Sequence, residues 1–390
     1  ERQGAAPAVV QDLRRVMDNR DIHAVTIATP NHWHCLAAIW AMQAGKHVYV
    51  EKPLSHNIWE GRRCVEVARA TNKMCQVGMQ TRSSPGVRDA IQFIREGGIG
   101  QVRVARGLCY KPRGSIGRGN GTVPGTCDYN LWCGPAPQRP LNRQRLHYDW
   151  HWQWDFGNGD IGNQGPHQLD VARWALGKNE LPRAVQSVGG RFSYTDDGET
   201  ANTQVAWFDY GEQQLIFEVR GLTTPRLRGI DIGAIIYGTT GYAVITQPAT
   251  ARVYDLDGNL TRTFNAPETH FANWISAIRS GRREDLHADV LEGHLSASLA
   301  HLANISYRLG TARPFEPRQN IFGDSANAQN TMVLMEEHLA ANNVNLANTN
   351  LMVGRRLTVD PTNENFPQEN AATNAMLTRE YRTGFVVPAS

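Results

Sequence analysis

Several common protein classes leave signatures that this chain lacks. No run of Lys or Arg occurs, and 40 basic residues stand against 37 acidic ones for a net charge of +3. A nucleic-acid surface is therefore not expected. No apolar stretch reaches membrane-spanning length, so no membrane partner is expected either. The six cysteines include no CxxC pair, which argues against a zinc ribbon or a thioredoxin motif. Cys35, Cys64 and Cys75 fall in apolar segments and read as buried thiols. Cys127 and Cys133 share a loop, yet nothing in their spacing demands a bridge. There is no internal repeat and no low-complexity tract. The opening "ERQGAAPAVV" has neither Met nor a signal-peptide pattern, and it reads as though residues stood before Glu1.

What is present is a large, ordinary core composition over 390 residues, 41% of them hydrophobic and 20% charged, enough for two or three domains. "DIHAVTIATP" reads as a strand, "HCLAAIWAMQAG" as a helix closed by Gly45, "KHVYVEKP" as a strand, "IWEGRRCVEVARAT" as a helix and "KMCQVGMQ" as a third strand. Strands alternating with helices imply a parallel sheet with crossovers. "SPGVRDAIQFIREGG" is a helix with Ser84 as N-cap and Pro85 at its first position. Residues 111–165 are loops rich in Gly, Pro, Asn and Trp. Short strand-like runs follow from residue 184 to residue 255, with turns at Gly211-Glu212 and Asp257-Gly258. They read as a second, antiparallel sheet. Residues 288–310 form a long helix, with Leu291, Leu295, Leu299 and Leu302 on one stripe. The last sixty residues are rich in Asn, Thr and Pro and read as an extended tail.

"GNGDIG", residues 157–162, matches G-x-G-x-x-G. A dinucleotide fingerprint needs a hydrophobic strand before it and a βαβ unit around it. "HYDWHWQWDF" is a poor central strand, so the match is not read as a fingerprint. The segment after it is more informative. "GPHQLDVARWALG" is a short helix that sets His167 beside a polar pocket with Asp160 and Asn163, where an oxygen-rich ligand could sit at the helix N-terminus. In open α/β sheets, ligands lie beyond the carboxyl ends of strands. Glu51, Lys52 and Pro53 occupy one such end, and Thr29, Pro30, Asn31 and His34 another. A lysine there can polarise an alkoxide or donate a proton. Tyr148, Trp150 and His151 precede the pocket, and aromatic faces suit the apolar side of a sugar ring. His147, His151 and His167 could form a metal set, but the surrounding Trp and Asp residues look more like a substrate loop, so no metal is expected.

Together "VTIATPNHWH", "AGKHVYVEKPL", "VGMQTRSSP", "EGGIGQV" and "GDIGNQGPHQLDVARWALG" closely resemble the Gfo/Idh/MocA oxidoreductase family over roughly residues 10–310. The "RRLTVDP" and "NAMLTREYRTGFVVP" segments resemble the tail of a bacterial subgroup often exported by the twin-arginine route. The resemblance implies an α/β fold. Residues 1–84 would form a Rossmann-type parallel sheet, partial at its N-terminus. Residues 85–330 would form an α/β domain with an open, mostly antiparallel sheet for substrate binding and oligomerisation. Residues 331–390 would be a tail wrapping the body.

It further implies NAD or NADP and a carbohydrate substrate. Open antiparallel sheets often pair face to face, so a homo-dimer or homo-tetramer is expected. Lys52 would be the catalytic lysine and His167 the general acid/base. Gln80 joins the cofactor residues, and Arg82 joins Tyr148, Trp150, His151, Asp160 and Asn163 as substrate residues. The expected reaction is hydride transfer from a sugar, polyol or glycoside hydroxyl. Two alternatives are redox-neutral glycoside cleavage with tightly bound NAD, and a sugar-binding protein without catalysis. Two departures stand out. The family's fingerprint would precede Glu1. Asn163 stands where many members carry Asp, with Asp160 as a substitute partner for His167.

Overall fold

In a computed structural model, the described residues are 6–246, 249–267, 269–316 and 320–389. After a short helix α1 (Arg14–Asp18) come β1 (Ala24–Ile27), α2 (His34–Gln43), β2 (His47–Val50), α3 (Ile58–Thr71) and β3 (Cys75–Val77). The three strands pair in parallel in the order β1-β2-β3. The helices begin and end where local chemistry dictates. Asn57 caps α3 by accepting from the Glu60 N–H, and Asn72 closes it in the left-handed region.

The chain then forms α4 (Pro85–Arg95), capped by Ser84 through the Val87 N–H. β4 (Val104–Tyr110) and α5 (Tyr129–Cys133) follow, then α6 (Gly159–Asn163) and α7 (Gly165–Ala175). No strand leads directly into Gly159, and residues 157–162 enter a short helix rather than a dinucleotide loop.

β5 (Ala184–Gly190), β6 (Thr203–Asp209), β7 (Gln214–Arg220), β8 (Ile232–Tyr237), β9 (Gly241–Thr246), β10 (Thr250–Asp255) and β11 (Leu260–Asn265) follow. They are followed by α8 (His270–Ser280), α9 (Val290–Arg308), β12 (Thr311–Pro314), α10 (Ala326–Ala341), β13 (Asn350–Val353), β14 (Leu357–Thr358) and α11 (Ala371–Asn374). The large sheet has the order β11-β10-β9-β8-β4-β7-β6-β5-β13-β12, with β14 also on β5. Among the described residues only β4 and β7 pair in parallel within it; the other pairings are antiparallel. Gly211 and Gly258 turn two of its hairpins, at φ +80 and +88.

α7 and α9 cover one face of this sheet through Leu169, Ala172, Leu299 and Leu302. α10 covers part of the other through Met332, Met335 and Leu339. The tail is thus not extended throughout. Ser325 caps α10 through the Ala328 N–H, and apolar residues three and four apart in an otherwise Asn-rich run form its buried stripe.

The chain end returns to the first sheet. Phe385 and Val387 join the core built by α2, α3 and β1–β3. Phe385 lies edge-on to Trp33 at 5.6 Å, and the Tyr381 hydroxyl donates to Glu60 at 3.1 Å. Arg379 donates to the His32 carbonyl at 3.3 Å and Arg382 to the Gly134 carbonyl at 3.1 Å.

Candidate active site

β2 ends in Glu51, Lys52 and Pro53, and the Lys52–Pro53 peptide is cis. Successive side chains of a strand alternate between faces. The Glu51 carboxylate accepts from the Tyr49 hydroxyl at 3.3 Å and from Gln80 at 3.5 Å, and Gln80 also donates to Tyr49 at 3.1 Å. Tyr49 packs on Phe271 and Trp274 of α8. Glu51 and Gln80 therefore belong to the α8 side of the sheet. Lys52 turns the other way. Its ammonium donates to the Asn163 carbonyl at 2.8 Å and lies 3.4 Å from the Asn163 side-chain oxygen. Burial lowers its pKa; Glu51 opposes that shift and the Lys111 ammonium adds to it.

Asn163 is the last residue of α6, and His167 stands on the first turn of α7. The imidazole is half-buried, and its Nδ1 has no hydrogen-bond partner. Burial pulls its pKa down to about 3, and the next contribution is the positive charge of Lys52. The lysine and the imidazole therefore share one site.

Asp160 does not serve His167. Both its oxygens accept from Arg113, at 3.1 and 2.8 Å. Arg113 also donates to the Tyr148 hydroxyl at 3.2 Å, and its guanidinium lies 5.8 Å from the Tyr148 ring and 5.6 Å from the Trp152 ring. Tyr148 holds a positive φ of 67 and is 41% exposed. The His151 ring sits against the Tyr148 carbonyl at 2.5 Å, and burial lowers its pKa to about 4. This aromatic wall joins the lysine side of the site through charge, since Lys52 acts on His151 and Asp160 on Lys52.

Three of the residues assigned from sequence lie elsewhere. Arg82 is buried in an ion cluster. It donates to Asp170 at 2.7 Å, reaches Glu292 at 2.8 Å and lies over the Trp174 ring; Arg173 joins both carboxylates. It braces α7 against α9. Trp150 is core, packed with Cys133, Ala136 and Phe156 and stacked on His151 at 3.7 Å. His34 sits between the Pro53 and Thr29 carbonyls at 2.6 and 2.7 Å, pinning two strand-end turns together. Burial lowers its pKa to about 4.

The other residues at the end of β1 are differently placed. The Thr29 hydroxyl and the Asn31 amide nitrogen are buried without partners. Thr29, Pro30 and Trp33 line a cleft of about 270 Å³ with Leu131 and Trp132. The sequence reading overlooked Lys111 and Arg113. They follow β4 directly, and the strand-end rule that singled out Lys52 applies to them equally.

Among the described residues no group of three His, Cys, Asp or Glu is placed to hold a metal, and no helix is long and apolar enough to cross a membrane. All six cysteines are free, and five of them are buried.

A parallel βαβ layer, a broad open sheet, and a lysine and an imidazole meeting between them define a two-domain α/β protein of oxidoreductase build. Residues 2–79 match the family model described as "Oxidoreductase family, NAD-binding Rossmann fold". Residues 110–337 match "Oxidoreductase family, C-terminal alpha/beta domain". The chain belongs to the Gfo/Idh/MocA oxidoreductase family.

Levoglucosan dehydrogenase of Pseudarthrobacter phenanthrenivorans is 32% identical over 177 residues, 45% of this chain and 38% of that protein. The scyllo-inositol 2-dehydrogenase (NAD(+)) of Bacillus subtilis is 36% identical over 98 residues, 25% of this chain and 29% of that protein. The chain thus spans well under half the length of these curated relatives. A solved levoglucosan dehydrogenase in complex with NADH and levoglucosan shares the fold, with a TM-score of 0.54 at 22% identity, covering 75% of this chain and 80% of that one.

Proposed function

We propose that this chain is an NAD(P)-dependent oxidoreductase that acts on a hydroxyl of a sugar, polyol or glycoside. One observation carries the reading: the Lys52 ammonium and the His167 imidazole flank the same turn, Asn163 to His167, at the carboxyl end of β2. The named substrates of the relatives, levoglucosan and scyllo-inositol, are polyhydroxylated rings and agree with it. The dinucleotide fits the residues present. Thr29 and Asn31 offer buried, unpartnered polar atoms at the end of β1, beside a cleft walled by Trp33 and Trp132. Thr29, Pro30, Asn31 and Lys52 would hold the cofactor.

When bound, the cofactor supplies the hydride acceptor. A ring nitrogen of His167 takes the hydroxyl proton. The Lys52 ammonium, held by the Asn163 carbonyl, stabilises the alkoxide oxygen. General base action contributes roughly two to four orders of magnitude, and so does a positioned charge. Asn163 carries no exchangeable charge, so His167 works without a neighbouring carboxylate. We infer that the protein is a homo-dimer or homo-tetramer, because an open sheet of this breadth suits face-to-face pairing of copies. Light scattering reads the state directly.

The test uses the purified full-length protein with NAD or NADP and a panel of levoglucosan, scyllo-inositol and common hexoses. NADH or NADPH accumulation with at least one of them, abolished in Lys52→Met, is the expected result. Glycoside cleavage without added oxidant would move the net reaction to the redox-neutral alternative. Neither activity, together with no dinucleotide binding, would overturn the reading in favour of a sugar-binding protein.

A further inference from the structure

We propose that the substrate is an acidic sugar, one carrying a carboxylate, and that Lys111 is the residue that selects it. This rests on the dehydrogenase reading above and goes further in naming the substrate class.

The placement of Lys111 follows from the backbone. β4 ends at Tyr110, but its extended course continues. The Lys111 N–H donates to the Arg220 carbonyl at 3.1 Å and the Arg113 N–H to the Gly221 carbonyl at 2.9 Å. The partner strand slips by one residue between these bonds, but Lys111 and Arg113 are half-buried while Pro112 and Gly114 are exposed, so residues 111 and 113 share the inward face that Cys109 begins. Two of them locate that face. Cys109 is buried in the core shared with α7, and Arg113 holds Asp160 of α6. Lys111 stands between them, toward the turn that joins α6 to α7, where Asn163 and His167 lie. Its electrostatic reach agrees with that position. Lys111 disfavours the protonated form of both Lys52 and His167.

The charge balance of the pocket is one-sided. Lys52, Lys111 and Arg113 bring three positive charges. Asp160 brings one negative charge, and both its oxygens are taken by Arg113. Glu51 is engaged by Tyr49 and Gln80 toward α8. Among the described residues the Lys111 ammonium has no hydrogen bond or ion pair. The N-terminus of α7, with no side-chain cap, adds positive potential of its own. Two ammonium groups converging on a half-buried site repel each other, and a ligand carboxylate relieves that repulsion where a neutral sugar leaves it standing. The anion also returns basicity to His167, whose proton affinity burial and the Lys52 and Lys111 charges suppress.

The experiment measures binding by calorimetry on the full-length protein in the presence of NADH, with glucuronate against glucose and galacturonate against galactose. The acid of each pair is expected to bind about tenfold or more tightly, a difference of ~1.4 kcal/mol. Lys111→Met should erase most of that advantage, weakening the acid far more than the neutral sugar, and Lys111→Arg should restore it. Added salt should shrink the advantage in the unaltered protein. Equal binding within each pair, or a Lys111→Met variant that weakens acid and neutral sugar alike, overturns the proposal. The two readings fail separately. Turnover of neutral sugars without preference for acids defeats this inference alone, whereas no hydride transfer from any sugar defeats the dehydrogenase reading beneath it.

Discussion

The Lys52 ammonium is held by the main-chain carbonyl of Asn163, 2.8 Å away. The lysine that would stabilise an alkoxide is therefore oriented by backbone, not by a counter-ion, and keeps its charge available for the substrate oxygen. Lys52→Met is expected to lower kcat by about two to four orders of magnitude. The melting temperature should stay near that of the unaltered protein. Steady-state kinetics alongside a thermal melt read both quantities. A wild-type rate in the variant would remove Lys52 from the chemistry.

Asn163→Asp adds a negative charge beside Lys52 and close to His167. A neighbouring anion favours the protonated form of each, so both groups become more basic. The acid limb of the kcat/KM profile should move to higher pH, and NMR titration of the His167 ring should follow it. A ring that titrates unchanged would show that the two positions do not sense each other.

His32, His34 and His301 are buried, and burial depresses them to about 3, 4 and 3. Unfolded, each titrates near 6.5. Below that value the unfolded chain binds protons that the folded one does not, so stability falls as pH drops from about 6.5 toward 4. The expected slope is ~1.4 kcal/mol per pH unit for each such histidine. Urea unfolding across that window measures it. His301→Gln, which can keep the contact with Ser55, should reduce the slope by one histidine's share. Stability that stays level from pH 7 to 4.5 would contradict the burial.

Arg82→Ala leaves Asp170 and Glu292 with Arg173 as their remaining cation. Breaking a buried pair from one side costs about 3 kcal/mol or more. The loss should appear in denaturant midpoints, with KM almost untouched. A large KM rise at unchanged stability would return Arg82 to the substrate pocket, where the sequence reading had put it.

The fate of Arg82 shows what sequence carries and what it does not. Ser84 and Pro85 start α4, Asn72 closes α3, and Gly211 and Gly258 turn hairpins, because each acts on neighbours a few residues away. Lys52 and His167 were legible because a strand end and a helix start are local features with known chemical uses. Arg82 was not, since its partner Asp170 lies 88 positions away and only the packing of the turn after β3 against α7 brings them together. The same holds for His34, clamped between two turns, and for Trp150, whose indole is core where a sugar-facing ring is expected. In α10 the obstacle was composition. Asn327, Gln329 and Asn330 before Met332, and Asn342 and Asn343 after Leu339, masked a stripe that only the sheet beneath it makes visible.

The return of the chain end to the first sheet has a mechanical meaning. With Phe385 against Trp33 and Tyr381 on Glu60, and with Arg379 and Arg382 on the Asp155 and Gly134 carbonyls, the polypeptide is buckled across from the first layer to the loops that follow β4. Parting those two regions requires the buckle to slip first. Limited proteolysis near the final residues would thus relax the grip on both sheets long before either one melts.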